Sequence, residues 1–251
     1  MNIGLINFLL IFYYIIYRSY FLYYMSYLRK TLCVCIPCIY EHIKYLKDCL
    51  NSIMKQSFQP HEIVIVISNI PKDELDLVKE KVTKICAEFT FPGILTDFTE
   101  ERKYAGENRN RAISLSNCDI ISLIDADDLM RYDRLDVIYK VFDMDDSVIG
   151  VLHKFYENIY PEPEQQHINF DPIYIKKYMY DKDLHFGHAS FLRTLFNEYQ
   201  YTNKPRGQDI EFVHNILGKY IKNLRIYDQK LSYYISNHST FYSKNGIHKN
   251  L

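Results

Sequence analysis

The chain has almost no net charge. Its 30 Lys and Arg against 31 Asp and Glu leave −1, and no long basic stretch occurs. A nucleic-acid partner therefore lacks electrostatic support. Trp is absent while Tyr reaches 24; with the plentiful Ile, Lys and Asn, this bias fits a coding preference as well as a function. Internal repeats and a linker long enough to separate two domains are also missing. A chain of 251 residues at 48 % hydrophobic content then makes one large α/β domain, or a domain with a small appendage. Cys33, Cys35 and Cys38 form a Cys-x-Cys-x-x-Cys, but no second pair stands at zinc-site spacing. Cys33 and Cys35 share one face of an apolar strand, so the six cysteines read as buried, reduced thiols in a cytosolic setting.

What the chain does have is an acidic turn. The run Ile120-Ile121-Ser122-Leu123-Ile124 leads straight into Asp125-Ala126-Asp127-Asp128. A short apolar, β-branched run of this kind reads as a buried strand. Carboxylates crowded at its end are costly unless a cation sits among them. Their oxygens suit Mg²⁺ or Mn²⁺, which also takes oxygens from a diphosphate. An acidic helix N-cap is the plainer alternative.

Residues 1–17 carry no charged side chain, and Tyr13, Tyr17, Tyr20, Tyr24 and Tyr27 form one helical stripe. Tyrosine at this density suits an interface, and the length lies at the lower edge of the roughly 17–25 residues that span a bilayer. The segment lacks the basic start and small-residue cleavage site of a signal peptide. A hydrophobic helix over 1–28 is expected, as a membrane anchor or interfacial helix, or packed on the domain. Arg18, Arg29 and Lys30 follow the apolar run, which keeps the globular part cytoplasmic; a soluble cytoplasmic protein is the alternative.

Beyond it, strands are expected at 32–36 (ending at Pro37), 63–67, 94–97, 120–124, 148–155 and 231–235. Helices are expected at 40–54, 71–89, 106–116 and 133–142, from apolar positions near helical period. The segment 186–193 should lead into a further helix, and Gln208 should open a last one that Gly218 stops. The stretch 160–167 reads as a loop. Alternating strands and helices with continuous apolar strands indicate an α/β fold with a mostly parallel sheet flanked by helices, whose ligands bind beyond the strand carboxyl ends.

Several segments in order resemble the family 2 glycosyltransferases. They are Pro37 to Glu41 after the first strand, Gly106-Glu107-Asn108-Arg109-Asn110, the acidic turn, the stretch 187–193, and Gly207-Gln208-Asp209. The resemblance covers roughly 31–240 and implies a GT-A, Rossmann-like nucleotide-diphospho-sugar transferase domain over 31–242, with 243–251 as a tail. It implies inverting transfer of a sugar from a nucleotide-diphosphate sugar to a hydroxyl on a glycan, lipid or protein. In this reading Asp127 and Asp125 hold Mn²⁺ or Mg²⁺, with His238 as a third ligand or a surface residue. Asp125 also reaches the ribose or a metal-bound water, Asp128 caps a helix, and Asp209 is the general base. Pro37, Tyr40, Glu41, Ser68 and Arg109 line the donor, Arg109 doing so or pairing with Asp125. Gln208 and His188 lie toward the acceptor, unless His188 packs beneath it.

Two features depart from the family pattern. Ser68-Asn69 stands where an Asp pair usually ends the second strand, and Gln208-Asp209 replaces Glu-Asp. The first leaves room for a non-catalytic sugar-nucleotide scaffold. A nucleotidyltransferase would bring a Gly-rich phosphate loop after the first strand, and none follows Pro37.

Overall fold

The computed structural model describes residues 29–91, 93–159, 170–179, 181 and 183–236. The expected helix over 1–28, the loop over 160–167, His238 and the tail lie outside the described residues. Among those described, no helix is long and apolar enough to cross a membrane.

Four parallel strands form one half of the sheet: β1 (Leu32–Ile39), β2 (Glu62–Ser68), β3 (Ile94–Phe98) and β4 (Ile120–Leu123), in the order β3-β2-β1-β4. β1 is apolar throughout because both of its faces are covered. Leu32, Val34 and Ile36 pack beneath helices α1 (Leu46–Met54) and α2 (Leu75–Ala87). Cys33 and Cys35 pack on the opposite face, with Ala112 and Ile113 of helix α3 (Ala105–Leu115). β1 does not stop at Pro37 as expected. The Cys35 carbonyl accepts from Ile124 N at 3.2 Å, so alternate residues of β1, Pro37 included, turn their backbone toward β4. Pairing with β4 ends at Cys35, so the missing N–H of Pro37 breaks no ladder bond.

The other half contains β5 (Leu129–Met130), β6 (Gly150–Glu157), β7 (Ile175–Lys177), β8 (Ser190–Leu192) and β9 (Leu224–Tyr234). The sheet continues from β4 through β8, β6 and β9 to β5, and β7 also pairs with β9. β8 runs antiparallel to both β4 and β6, and β5 and β7 run antiparallel to β9. The sheet is therefore mixed, where a mostly parallel one was expected. The error lies in 186–193, read as the approach to a helix. Three residues of strand are too few to display alternation, and short helical turns on either side mask them. Gly150 permits the insertion: a Cβ there would stand 2.6 Å from side-chain carbons of Phe191 and Leu224.

Helix α4 (Arg134–Met144) follows the acidic turn, and α5 (Gln208–Tyr220) packs Phe212, Val213 and Ile216 on the α3 side of the sheet. α5 passes through Gly218, which is exposed with nothing within 4 Å of its Cβ position. The glycine weakens the helix by about 1 kcal/mol without ending it.

Candidate active site

The acidic turn begins where β4 ends, and its three carboxylates point to three different partners. Asp125 Oδ1 accepts from Arg109 Nη2 at 2.8 Å. Arg109 is buried on α3, with its guanidinium 5.6 Å from the Tyr201 ring centroid. Asp125 is half-buried, and burial raises its pKa. Arg109 opposes that shift, while the charges of Asp127 and Asp209 reinforce it. Asp127 Oδ2 faces His42 Nδ1 at 3.1 Å, and this contact raises the histidine above its ordinary pKa.

Asp128 does not cap the following helix, whose N-cap is Asp133. It is buried, with Oδ1 accepting from Ile235 N at 2.7 Å and Oδ2 against His188 Nε2 at 2.9 Å. His188 Nδ1 in turn meets Ser232 Oγ at 2.8 Å. Burial pushes the Asp128 carboxyl well up and the His188 imidazole well down. His188 is fully buried, so it packs beneath the cleft, the second of the two positions open to it. Asp128 and His188 bolt the acidic turn to the end of β9. Arg134, fully buried on α4, adds to the clamp by donating to the carbonyls of Leu123 and His188, each at 2.7 Å.

Asp209 is the second residue of α5. The helix N-cap is Gly207, at φ 73°, so Asp209 is not the cap. Asp209 is near enough for its charge to act on Asp125, Arg109, Tyr201 and His185. Arg109, the Asp125–Asp127 turn and Asp209, on three separate segments, therefore converge. Beside Asp209, Gln208 is buried, and its Oε1 is sealed without a protein partner. A Cβ on Gly106 would stand 2.9 Å from Gln208 Cγ and 2.4 Å from the Thr202 carbonyl, so glycine is what lets α3 and the start of α5 meet.

The remaining expected donor residues divide. Pro37 is buried within β1. The Tyr40 hydroxyl donates to Glu74, and Tyr40, Glu41, Lys44, Glu74 and Lys81 line a groove of about 440 Å³ between the segment after β1 and α2. Ser68 is fully buried. Its hydroxyl accepts from Asn108 Nδ2 at 2.8 Å and points to the Lys103 carbonyl at 3.4 Å, so it fastens α3 to the strand ends.

Sequence reading missed His42, His185 and Arg134. The acidic turn carries no local mark of the first two, which reach it from distant segments. Arg134 lies at the start of an amphipathic helix, where an arginine ordinarily reads as solvated.

The donor set of Asp125 and Asp127 fits a hard divalent cation. Both are carboxylates, both keep partial exposure, and the charge of Asp127 already disfavours ionised Asp125. Asp128, His185 and His188 also bring ligand-type atoms within 4.8 Å of one another. There the two imidazoles stack, 3.7 Å apart and 20° from parallel. Their in-plane lone pairs run alongside each other instead of converging on one ion.

The sequence model for Glycosyl transferase family 2 matches residues 33–200. The chain is 24 % identical over 204 residues to glycosyltransferase GlyG of Streptococcus pneumoniae serotype 4, covering 74 % of this chain and 65 % of GlyG. It is 24 % identical over 212 residues to an uncharacterized glycosyltransferase of Methanocaldococcus jannaschii, covering 81 % of this chain and 70 % of that protein. S. aureus TarS 1-349, solved in complex with UDP-GlcNAc, superposes with a TM-score of 0.58 at 18 % identity, over 82 % of this chain and 59 % of that chain. A mannosyltransferase from Pyrobaculum calidifontis, solved with GDP-Man and Mn²⁺, gives 0.55 at 15 % identity, over 79 % of this chain and 56 % of that one. The chain thus spans less than two thirds of the length of GlyG and of TarS 1-349. The structural neighbours establish a shared GT-A-like fold.

Proposed function

The chain belongs to Glycosyl transferase family 2, and on that basis we propose that it moves a sugar, with inversion, from a nucleotide-diphosphate sugar to a hydroxyl of a glycan, lipid or protein acceptor. The observation that carries this reading is the convergence of the Arg109–Asp125 pair, Asp127 and Asp209 on one cleft at the strand ends. Asp127 and Asp125 would hold Mn²⁺ or Mg²⁺, which when bound neutralises charge on the departing nucleoside diphosphate. The neighbours solved with UDP-GlcNAc and with GDP-Man and Mn²⁺ support such a donor and such an ion.

Asp209 takes the proton of the acceptor hydroxyl as that oxygen bonds to the anomeric carbon. The bond from that carbon to the diphosphate oxygen breaks, and the electron pair leaves with the nucleoside diphosphate. One base suffices, and no enzyme nucleophile is needed. Arg109 holds Asp125 in place and keeps positive charge beside the diphosphate. Tyr40 and Glu41, at the end of β1, border the base and ribose. Ser68, sealed behind Asn108, leaves base reading to side chains other than the end of β2.

The test is donor consumption by the full chain across a panel of nucleotide sugars, with and without Mn²⁺. Metal-dependent turnover of one donor, lowered by orders of magnitude in Asp127→Ala and Asp209→Asn, is expected. A folded chain that binds a donor but consumes none would leave the scaffold reading in its place, and one that binds no donor would overturn both.

A further inference from the structure

His185 lies within electrostatic reach of the groups assigned to the two ends of this reaction, and neither role uses it. Its ring stacks on His188 at 3.7 Å, and meets Phe155 at 5.3 Å and Tyr234 at 4.9 Å. His188 is itself held at both ring nitrogens, by Asp128 and Ser232. The His185 imidazole is therefore a plate with a fixed backing. Gly187 gives it clearance. A Cβ there would stand 2.9 Å from Arg109 Nη2 and 3.1 Å from His185 Cε1. The guanidinium that binds Asp125 and the imidazole thus both stand close to one point. Asp209 and Asp127 are both near enough for their charges to act on the same ring.

Displacement with inversion fixes what fills the space among these groups. The acceptor oxygen belongs at Asp209, the departing diphosphate at Asp125 and Asp127, and the anomeric carbon on the line between them. A side chain bordering both ends touches the sugar in transit, not the base. The nitrogens of His185 suit that position. Nδ1 is sealed from solvent without a protein partner. A neutral ring protonated on Nε2 leaves only a lone pair in that sealed place, which costs less than a sealed N–H.

Resting on the glycosyltransferase reading above, we infer that His185 reads the transferring sugar, donating a hydrogen bond from Nε2 to one of its hydroxyl oxygens. The stacked, backed ring holds that donor in place before the sugar arrives, so the contact discriminates between sugars that place the hydroxyl differently.

The test uses the full chain and the donor that wild type consumes. His185→Phe keeps an aromatic plate and removes both nitrogens. It should lose at least about tenfold in kcat/KM, the scale of one hydrogen bond, while the Kd for the nucleoside diphosphate alone stays within about twofold. His185→Gln, whose amide reaches the Nε2 position, should recover most of the loss. His185→Asn, which reaches only the Nδ1 position, should not. The Gln and Asn pair decides the matter even where the Phe variant fails to fold. Equal behaviour of Gln and Asn, wild-type kcat/KM in Phe, or nucleoside diphosphate binding that falls as far as turnover would each overturn the assignment. A wild-type chain that binds no nucleotide sugar overturns the parent reading instead, and this one with it.

Discussion

Arg109 Nη2 stands 2.8 Å from Asp125 Oδ1, tying helix α3 to the acidic turn through a guanidinium that is only 2 % exposed. Removing one member of such a pair leaves the other as an uncompensated charge away from water. Asp125 keeps a quarter of its side-chain exposure (26 %), which softens the effect. Arg109→Met should therefore cost about 2–3 kcal/mol, below the range for a fully buried pair. Urea unfolding would read this as a lower midpoint at unchanged slope. In Asp125→Asn the same Arg109 change should cost visibly less, because the charge it leaves unpaired is gone. An unchanged midpoint in Arg109→Met would mean that water already compensates Asp125.

Gly187→Ala is the subtler way to disturb the same pair. The new methyl would stand 2.9 Å from Arg109 Nη2, the end of a long side chain, so the guanidinium yields more readily than the backbone. The expected outcome is a folded protein with a small loss of stability, about 1–2 kcal/mol on the scale of overpacking, and a marked loss of turnover. In an Arg109→Met background, Gly187→Ala should cost less, since the nearest group it displaces is absent and only the His185 edge at 3.1 Å remains. Full additivity of the two would show that Gly187 acts elsewhere.

The parallel half of the sheet was legible in the sequence because β1, β2 and β4 are short continuous apolar runs ending in polar residues. The acidic turn was legible for the same reason. In the other half β6 and the end of β9 were legible at 148–155 and 231–235, while β5, β7, β8 and the start of β9 escaped. β8 has three residues and β5 two, and β9 carries Arg225, Asp228 and Lys230 through its first seven positions. These strands are specified by pairing with distant segments, not by their own period. At the site, Asp125, Asp127, Asp209 and Arg109 stood out in the sequence because their types and order are telling. His42 and His185 did not, since each comes near the turn only when the fold carries it there. Asp128 illustrates the limit most clearly: three adjacent acids look alike in sequence, yet only this one is sealed between an imidazole and a backbone amide.

The cysteines provide a prediction independent of catalysis. Cys33 and Cys35 are fully buried with their sulfurs 3.7 Å apart, and Cys38 and Cys49 are also buried. Burial raises the thiols of Cys33, Cys38 and Cys49, and pushes Cys118 up to about 11. Cys86, on α2, is the half-buried one. Native protein at pH 8 should titrate one thiol promptly with a disulfide reagent, and all six after denaturation. Cys86→Ser should remove the prompt phase. Two or more prompt thiols would contradict the burial of the other five.

His153 should make the protein acid-labile in a way that one substitution can isolate. It is fully buried on β6, with Nδ1 2.9 Å from the Lys154 carbonyl. Burial first, and then the charge of Arg134, push its pKa well below the ordinary value. Above pH 7 both folded and unfolded chains hold this ring neutral, and it contributes no pH dependence. As pH falls through about 6.5, the unfolded chain binds a proton that the folded chain refuses, so stability is lost on acidification. At pH 5 this one ring accounts for about 2 kcal/mol. His185 and His188, also lowered by burial, act in the same direction, and Asp128, whose pKa is raised, acts in the opposite one, so the wild-type curve alone does not separate them. His153→Asn keeps a donor at the Nδ1 position for the Lys154 carbonyl and removes the titration. The difference in unfolding free energy between wild type and this variant should shift by about 2 kcal/mol between pH 7 and pH 5, against wild type. Parallel curves over that interval would show that the folded protein already admits the proton at His153.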